Sequence, residues 1–146
     1  MERTFDRIVR RTIVAIITPF LISGAIASYR AYVQVRRLDL TAGSDLRAGS
    51  RVQADVVTSG RVPVTLQIEL VQEAQAEIIA TVVVPNSREP FFDPRTVKGT
   101  LSATITPEML ARFAPGSATI RATARGRPQW MREPPPLVRQ VPVVLE

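Results

Sequence analysis

The chain has 146 residues, room for one domain of ordinary size and an appendage. It has no Cys and no His, which excludes disulfides, thiol catalysis, Cys/His zinc sites and every His-based acid–base mechanism. Basic residues outnumber acids 19 to 13, and Lys98 is the only lysine, an Arg bias expected of a GC-rich bacterial genome. Twelve prolines and 5% aromatics argue against a helical bundle.

Residues 12–29 carry no charge and are bracketed by Arg11 and Arg30. As a helix this run spans about 27 Å, close to the hydrocarbon thickness of a bilayer. Arg3, Arg7, Arg10 and Arg11 precede it, an excess of positive charge that keeps an N-terminus in the cytoplasm. The run therefore reads as a single transmembrane helix of the bacterial inner membrane, with the remaining chain in the periplasm. The alternative is a signal peptide cleaved after Ala27, since Ala25, Ile26 and Ala27 fit the small-residue cleavage pattern. Ser23 with Ala27, and Gly24 with Ser28, are small-xxx-small pairs suited to helix–helix packing. The expected division is 1–30 for the N-terminus and anchor, and 31–146 for one domain.

Beyond Arg30 the pattern alternates with period two. Val52, Ala54 and Val56 alternate with Gln53 and Asp55; Val64, Leu66, Ile68 and Leu70 alternate with Thr65, Gln67 and Glu69. Ile78, Ala80, Val82 and Val84 form a run that is apolar on both sides. Leu101 to Ile105 and Ala118 to Ala124 alternate again. Seven strands are expected, at 31–40, 50–57, 62–72, 76–84, 96–106, 117–126 and 137–145. The first changes phase at Arg36 and Arg37, which predicts a bulge. Pro142 cannot donate to a ladder, which predicts a sheet edge. Thr106, Pro107 and Glu108 predict a capped helical turn, with Leu110 and Phe113 closing the base of the core.

Seven short strands in this length predict an all-β, antiparallel, seven-stranded sandwich behind one N-terminal transmembrane helix. The stretches Leu46–Ala54, Gly60–Val64 and Leu110–Ile120 resemble an immunoglobulin-like or fibronectin-type-III-like domain of bacterial exported proteins. The antibody-type cysteine pair, third-strand tryptophan and corner tyrosine are absent. The resemblance implies architecture and supplies no activity.

The search for chemistry yields little. The carboxylates fall on wet strand faces or in loops, with no facing pair and no calcium-loop spacing. Lys98 and Ser102 are the one base–nucleophile combination, on one face of one strand. No cofactor or metal is expected, and the chain reads as a non-enzyme. Arg121 and Arg125 share a wet face, with Arg139 placed on the neighbouring strand. A nucleic-acid reader pairs such a stripe with aromatics or a recognition helix, so nucleic acid is not an expected partner.

In an antiparallel sandwich, connections alternate between the two ends. The second, fourth and sixth connections return to the end where the anchor arrives. Two of these loops hold Phe91 and Phe92, and Arg127, Trp130, Met131 and Arg132, between stiffening prolines. Large apolar residues beside Arg suit a contact surface; the alternative is that Phe91, Phe92 and Trp130 fold back as lids on the sandwich core. The expected partners are membrane lipid and other subunits of a membrane protein complex, respiratory or photosynthetic among the candidates. The expected role is a non-catalytic accessory or scaffolding subunit. The alternative is a cleaved, soluble periplasmic or secreted binding module for a protein, peptide or carbohydrate.

Overall fold

The computed structural model describes residues 12–25, 35–59, 62–86, 96–127 and 133–146. The chain divides into two compact units, Met1–Tyr32 and Val33–Glu146.

In the first unit residues 12–25 form helix α1. Every residue of α1 is exposed, its large apolar side chains included: Phe20 is 76% exposed and Leu21 67%. At 1.5 Å per residue α1 covers about 20 Å, short of the ~30 Å hydrocarbon core. Among the described residues no helix is long and apolar enough to cross a membrane. The expected span runs on through residues 26–29, which lie outside the described residues.

The second unit is all-β. Its strands are β1 (Val35–Thr41), β2 (Asp45–Leu46), β3 (Arg51–Thr58), β4 (Val64–Gln72), β5 (Gln75–Val84), β6 (Val97–Thr104), β7 (Gly116–Gly126) and β8 (Leu137–Leu145), with helix α2 (Pro107–Leu110) between β6 and β7. One sheet has the order β1-β3-β6 and the other β2-β8-β7-β4-β5. Alternation in the sequence sets which side chains face inward. Leu38, Val52, Ala54, Val56 and Leu101 come from the first sheet; Val64, Leu66, Ile68, Leu70, Ile120, Ala122 and Ala124 come from the second. Together they make one buried cluster. Each fully buried Leu, Ile or Val contributes about 1.5–3 kcal/mol relative to exposure.

The strand expectation needs two corrections. There are eight strands among the described residues, the added one being β2, and β2 pairs parallel to β8, with Asp45 opposite Val144 and Leu46 opposite Leu145. The chain leaves the three-stranded sheet after β1 and crosses to the five-stranded one. Val144 N donates to Ser44 O at 2.8 Å, and Glu146 N to Leu46 O at 3.1 Å. Two residues have no readable period, so the sequence shows this stretch only as a turn.

A second difference lies in β5. Ile68 is opposite Ala80 but Glu69 is opposite Ile78, so Ile79 is the extra residue of a bulge. Ile79 packs against the core and Ile78 turns outward, 56% exposed.

Other expectations match. The β1 register shifts between Val35 and Arg37, placing the bulge at Arg36; Val35 and Leu38 both reach the core. β2 meets β8 only at Val144 and Leu145, so Pro142 has a strand neighbour on one side alone, β7. Thr106 caps α2, accepting from Met109 N at 3.3 Å with Pro107 in the first turn, and Phe113 is buried behind it.

The register also fixes the ends. Val35, Thr58 and Val97 are neighbours in one sheet, and Val64, Val84 and Gly126 in the other. The connections after β3, β5 and β7 therefore all leave from the end where β1 begins.

Candidate functional site

Among the described residues the inner faces of both sheets are packed with buried side chains, and the polar strand residues stand on the outer faces. On the five-stranded sheet β4 presents Thr65, Gln67 and Glu69 outward, β7 presents Arg121, Thr123 and Arg125, and β8 presents Val138 and Gln140. The register sets them in rows. Thr65 lies opposite Arg125, Gln67 opposite Thr123, and Glu69 opposite Arg121, which is itself opposite Gln140. With Arg127 and Pro136 these side chains line a groove of about 490 Å³. Arg125, Arg127 and Pro136 stand at the end of the sheet from which the β7–β8 connection leaves.

The groove is electrically uneven. Arg121 is held by Glu69: its Nε donates to Oε2 at 2.7 Å and its Nη2 lies 2.6 Å from the same oxygen. Gln67 Nε2 donates to Glu69 Oε1 at 2.7 Å, so both carboxylate oxygens are engaged. Among the described residues Arg125 has a single long contact, Nη1 to Glu133 Oε2 at 4.0 Å, and its side chain is 49% exposed. Arg127 is exposed; its backbone N donates to Pro63 O at 3.1 Å, which continues the β4–β7 ladder by one step. Its guanidinium makes no hydrogen bond or ion pair with another described residue. Among the described residues, Arg121 is thus closely paired, whereas Arg125 has one long ion pair and Arg127 none.

Of the residues singled out from the sequence, Arg121, Arg125 and Arg127 belong to this groove. Ser23 and Gly24 lie on α1, both exposed, with no atom within 4 Å of a Cβ built on Gly24. Ala27, Ser28, Phe91, Phe92, Trp130, Met131 and Arg132 lie outside the described residues. Arg139 does not share the outer face of Arg121 and Arg125: it has the inward parity of β8, opposite Ala122, where it stays exposed and its Nε donates to Leu38 O at 3.3 Å. Lys98 and Ser102 share the outer face of β6, but four steps along the strand set their backbones about 13 Å apart, too far for a base and its nucleophile. Among the described residues no three His, Cys, Asp or Glu side chains cluster as a metal site would need.

No local pattern marks Glu69, Gln67, Thr65, Thr123 and Gln140 as a group. Their polarity and parity were visible. Their register, which joins residues about fifty positions apart, was not.

The outer face of the three-stranded sheet is simpler. Asp39 lies directly opposite Asp55. Arg37 Nε approaches Asp39 Oδ2 at 2.6 Å, while Asp55 accepts from Thr100 Oγ1 at 2.6 Å and Gln53 Nε2 at 3.0 Å. The Thr100 bond first, then the Gln53 bond, holds the Asp55 carboxyl below the usual carboxylate range.

No family model matches the chain, and no curated protein matches it. Among solved structures, a "protein from Archaeoglobus fulgidus" is similar at a TM-score of 0.39 and 10% identity, over 77% of this chain and 98% of that one.

Proposed function

We propose that the chain is a non-catalytic contact module held at the bacterial inner membrane. In this reading it is an accessory or scaffolding subunit whose sandwich braces a membrane protein complex on the periplasmic side. The observation that carries the reading is α1, a helix without a charged residue that exposes seven large apolar side chains, Ile13, Val14, Ile16, Ile17, Phe20, Leu21 and Ile22. Such a surface needs an apolar environment to cover it, and lipid together with partner helices supplies one. The uncharged run continues through residues 26–29, which lengthens the segment toward a full span. A tether of five residues, 30–34, separates that run from β1. The connections after β3, β5 and β7 leave from the end where that tether joins the domain.

An immunoglobulin-like fold goes with this reading. β3 beside β6 in one sheet, and β4, β7 and β8 adjacent in the other, match the B–E and C–F–G neighbours of such domains.

The test is an alkaline wash of membranes from cells making the full chain. The expected result is retention in the pellet and release by detergent only. Ile17→Asp puts a charge in the middle of the apolar segment, a cost of about 2.5–3.5 kcal/mol on insertion scales, and moves the protein to the wash. A wild-type chain found in the wash, cleaved near Ala27, overturns the anchor and leaves the soluble binding module.

A further inference from the structure

β7 and its first continuation place Arg125 and Arg127 on one face, two residues apart, at the open end of the groove. Two residues along a strand advance about 6.7 Å. An extended peptide has the same repeat, with alternate side chains on one side. A second chain lying along β7 therefore meets both guanidinia in step if its acids stand at alternate positions. We propose that this groove binds an extended acidic segment of a partner protein, with alternate carboxylates seated on Arg125 and Arg127.

Three features favour that occupant. Among the described residues the two guanidinia are the least engaged charges of the groove: Glu69 holds Arg121, and Arg125 reaches Glu133 only at 4.0 Å. Guanidinium is matched to carboxylate in shape as well as charge. The hydroxyls of Thr65 and Thr123 and the amide of Gln140 line the same floor and donate to a peptide's carbonyls. Val138 and Pro136 supply an apolar wall on the β8 side. The proposal rests on the reading of the domain as a protein-contact module and names the chemistry of its partner.

The test uses the full chain in neutral detergent micelles at low salt, where exposed charges are least screened. The probe is a fluorescent peptide of about ten residues alternating Glu with Ser, compared with a peptide of identical composition carrying its Glu in one block. Anisotropy is expected to show the alternating peptide binding about fivefold more tightly or better. Arg125→Gln with Arg127→Gln is expected to weaken it about tenfold, while Arg37→Gln on the opposite sheet leaves it unchanged. If the double Gln variant does not fold, Arg125→Glu with Arg127→Glu and an alternating Lys peptide provides the charge-swapped test, with binding restored. Equal binding of the two Glu peptides, or an unchanged affinity in the double variant, overturns the proposal. So does displacement of the peptide by phosphatidylglycerol added to the micelles, which would assign the arginines to lipid headgroups. A protein that stays in washed membranes yet ignores the peptide fails this proposal alone.

Discussion

Arg121 and Glu69 lie directly opposite each other on β7 and β4, and the guanidinium closes on one carboxylate oxygen through Nε at 2.7 Å and Nη2 at 2.6 Å. Their side chains are 34% and 16% exposed, so the pair is more sheltered than an ordinary surface bridge. It neutralises one end of the groove and leaves Arg125 and Arg127 to define the other. Glu69→Gln keeps the shape and removes the charge. We expect a stability loss of about 1 kcal/mol in chemical denaturation, from the lost ion pair. The same substitution frees Arg121, and the alternating Glu peptide then binds more tightly. Weaker binding in Glu69→Gln would mean that Glu69 itself contacts the ligand.

Gly99 sets how closely the edges of the two sheets approach. A Cβ built there would overlap Val84 Cγ2 and stand 3.2 Å from Val84 Cβ. Val84 is buried in the core and has little room to move. Gly99→Ala is expected to destabilise by about 1–3 kcal/mol through overpacking. In the double variant with Val84→Ala the added cost of the Gly99 change should largely disappear. A thermal melt of the four proteins checks both statements.

The β4–β5 hairpin has a residue in the wrong conformation for its type. Gln72 pairs with Gln75, and Glu73 between them has φ +52. That region costs a non-glycine residue about 1–2 kcal/mol, against about 0.5–1 kcal/mol for the extra chain entropy of glycine. Glu73→Gly should therefore raise stability by about 0.5–1 kcal/mol. The neighbours make the turn worth keeping: Gln72 Oε1 accepts from Ala114 N at 3.0 Å and its Nε2 donates to Ala114 O at 2.8 Å, tying the hairpin to the loop after α2. Glu73→Val should lower stability.

The pH dependence has a specific source in Asp55. Its carboxyl lies below the ordinary value of 3.8, chiefly through the Thr100 hydroxyl. A carboxyl whose pKa is lower in the folded chain stabilises the fold above its unfolded value and loses that share as pH falls through the folded value. Thr100→Val should raise the Asp55 titration midpoint in carboxyl NMR toward the ordinary value. The stability gap between wild type and variant should be present at neutral pH and narrow in acid. A gap independent of pH would assign the effect to packing instead.

Much of the fold was legible because the sequence alternates cleanly. The phase change at Arg36 and Arg37 announced a bulge, since apolar residues of both parities had to face one core. Thr106 and Pro107 announced a cap, and Pro142 an edge. The misses have physical reasons. β5 is apolar on both sides, so parity alone could not show that Ile79 is the extra residue and Ile78 turns out. β2 is too short to carry a period. Arg139 sits in a strand of nearly continuous apolar residues, where its face was ambiguous. Of the candidate site, Arg127 was found from its loop, and Arg121 and Arg125 from their parity. Their partners Glu69 and Thr65 depend on a register between distant strands, which no local pattern encodes.

The central claim, a chain kept in the membrane and working through a partner, is tested most directly by intact mass spectrometry. The protein would be extracted in mild detergent from washed native membranes, with its co-purifying species recorded. The account predicts a mass that retains residues 1–27, accompanied by partner chains in fixed proportion. A species beginning at Ser28, released without detergent and running alone, would contradict it.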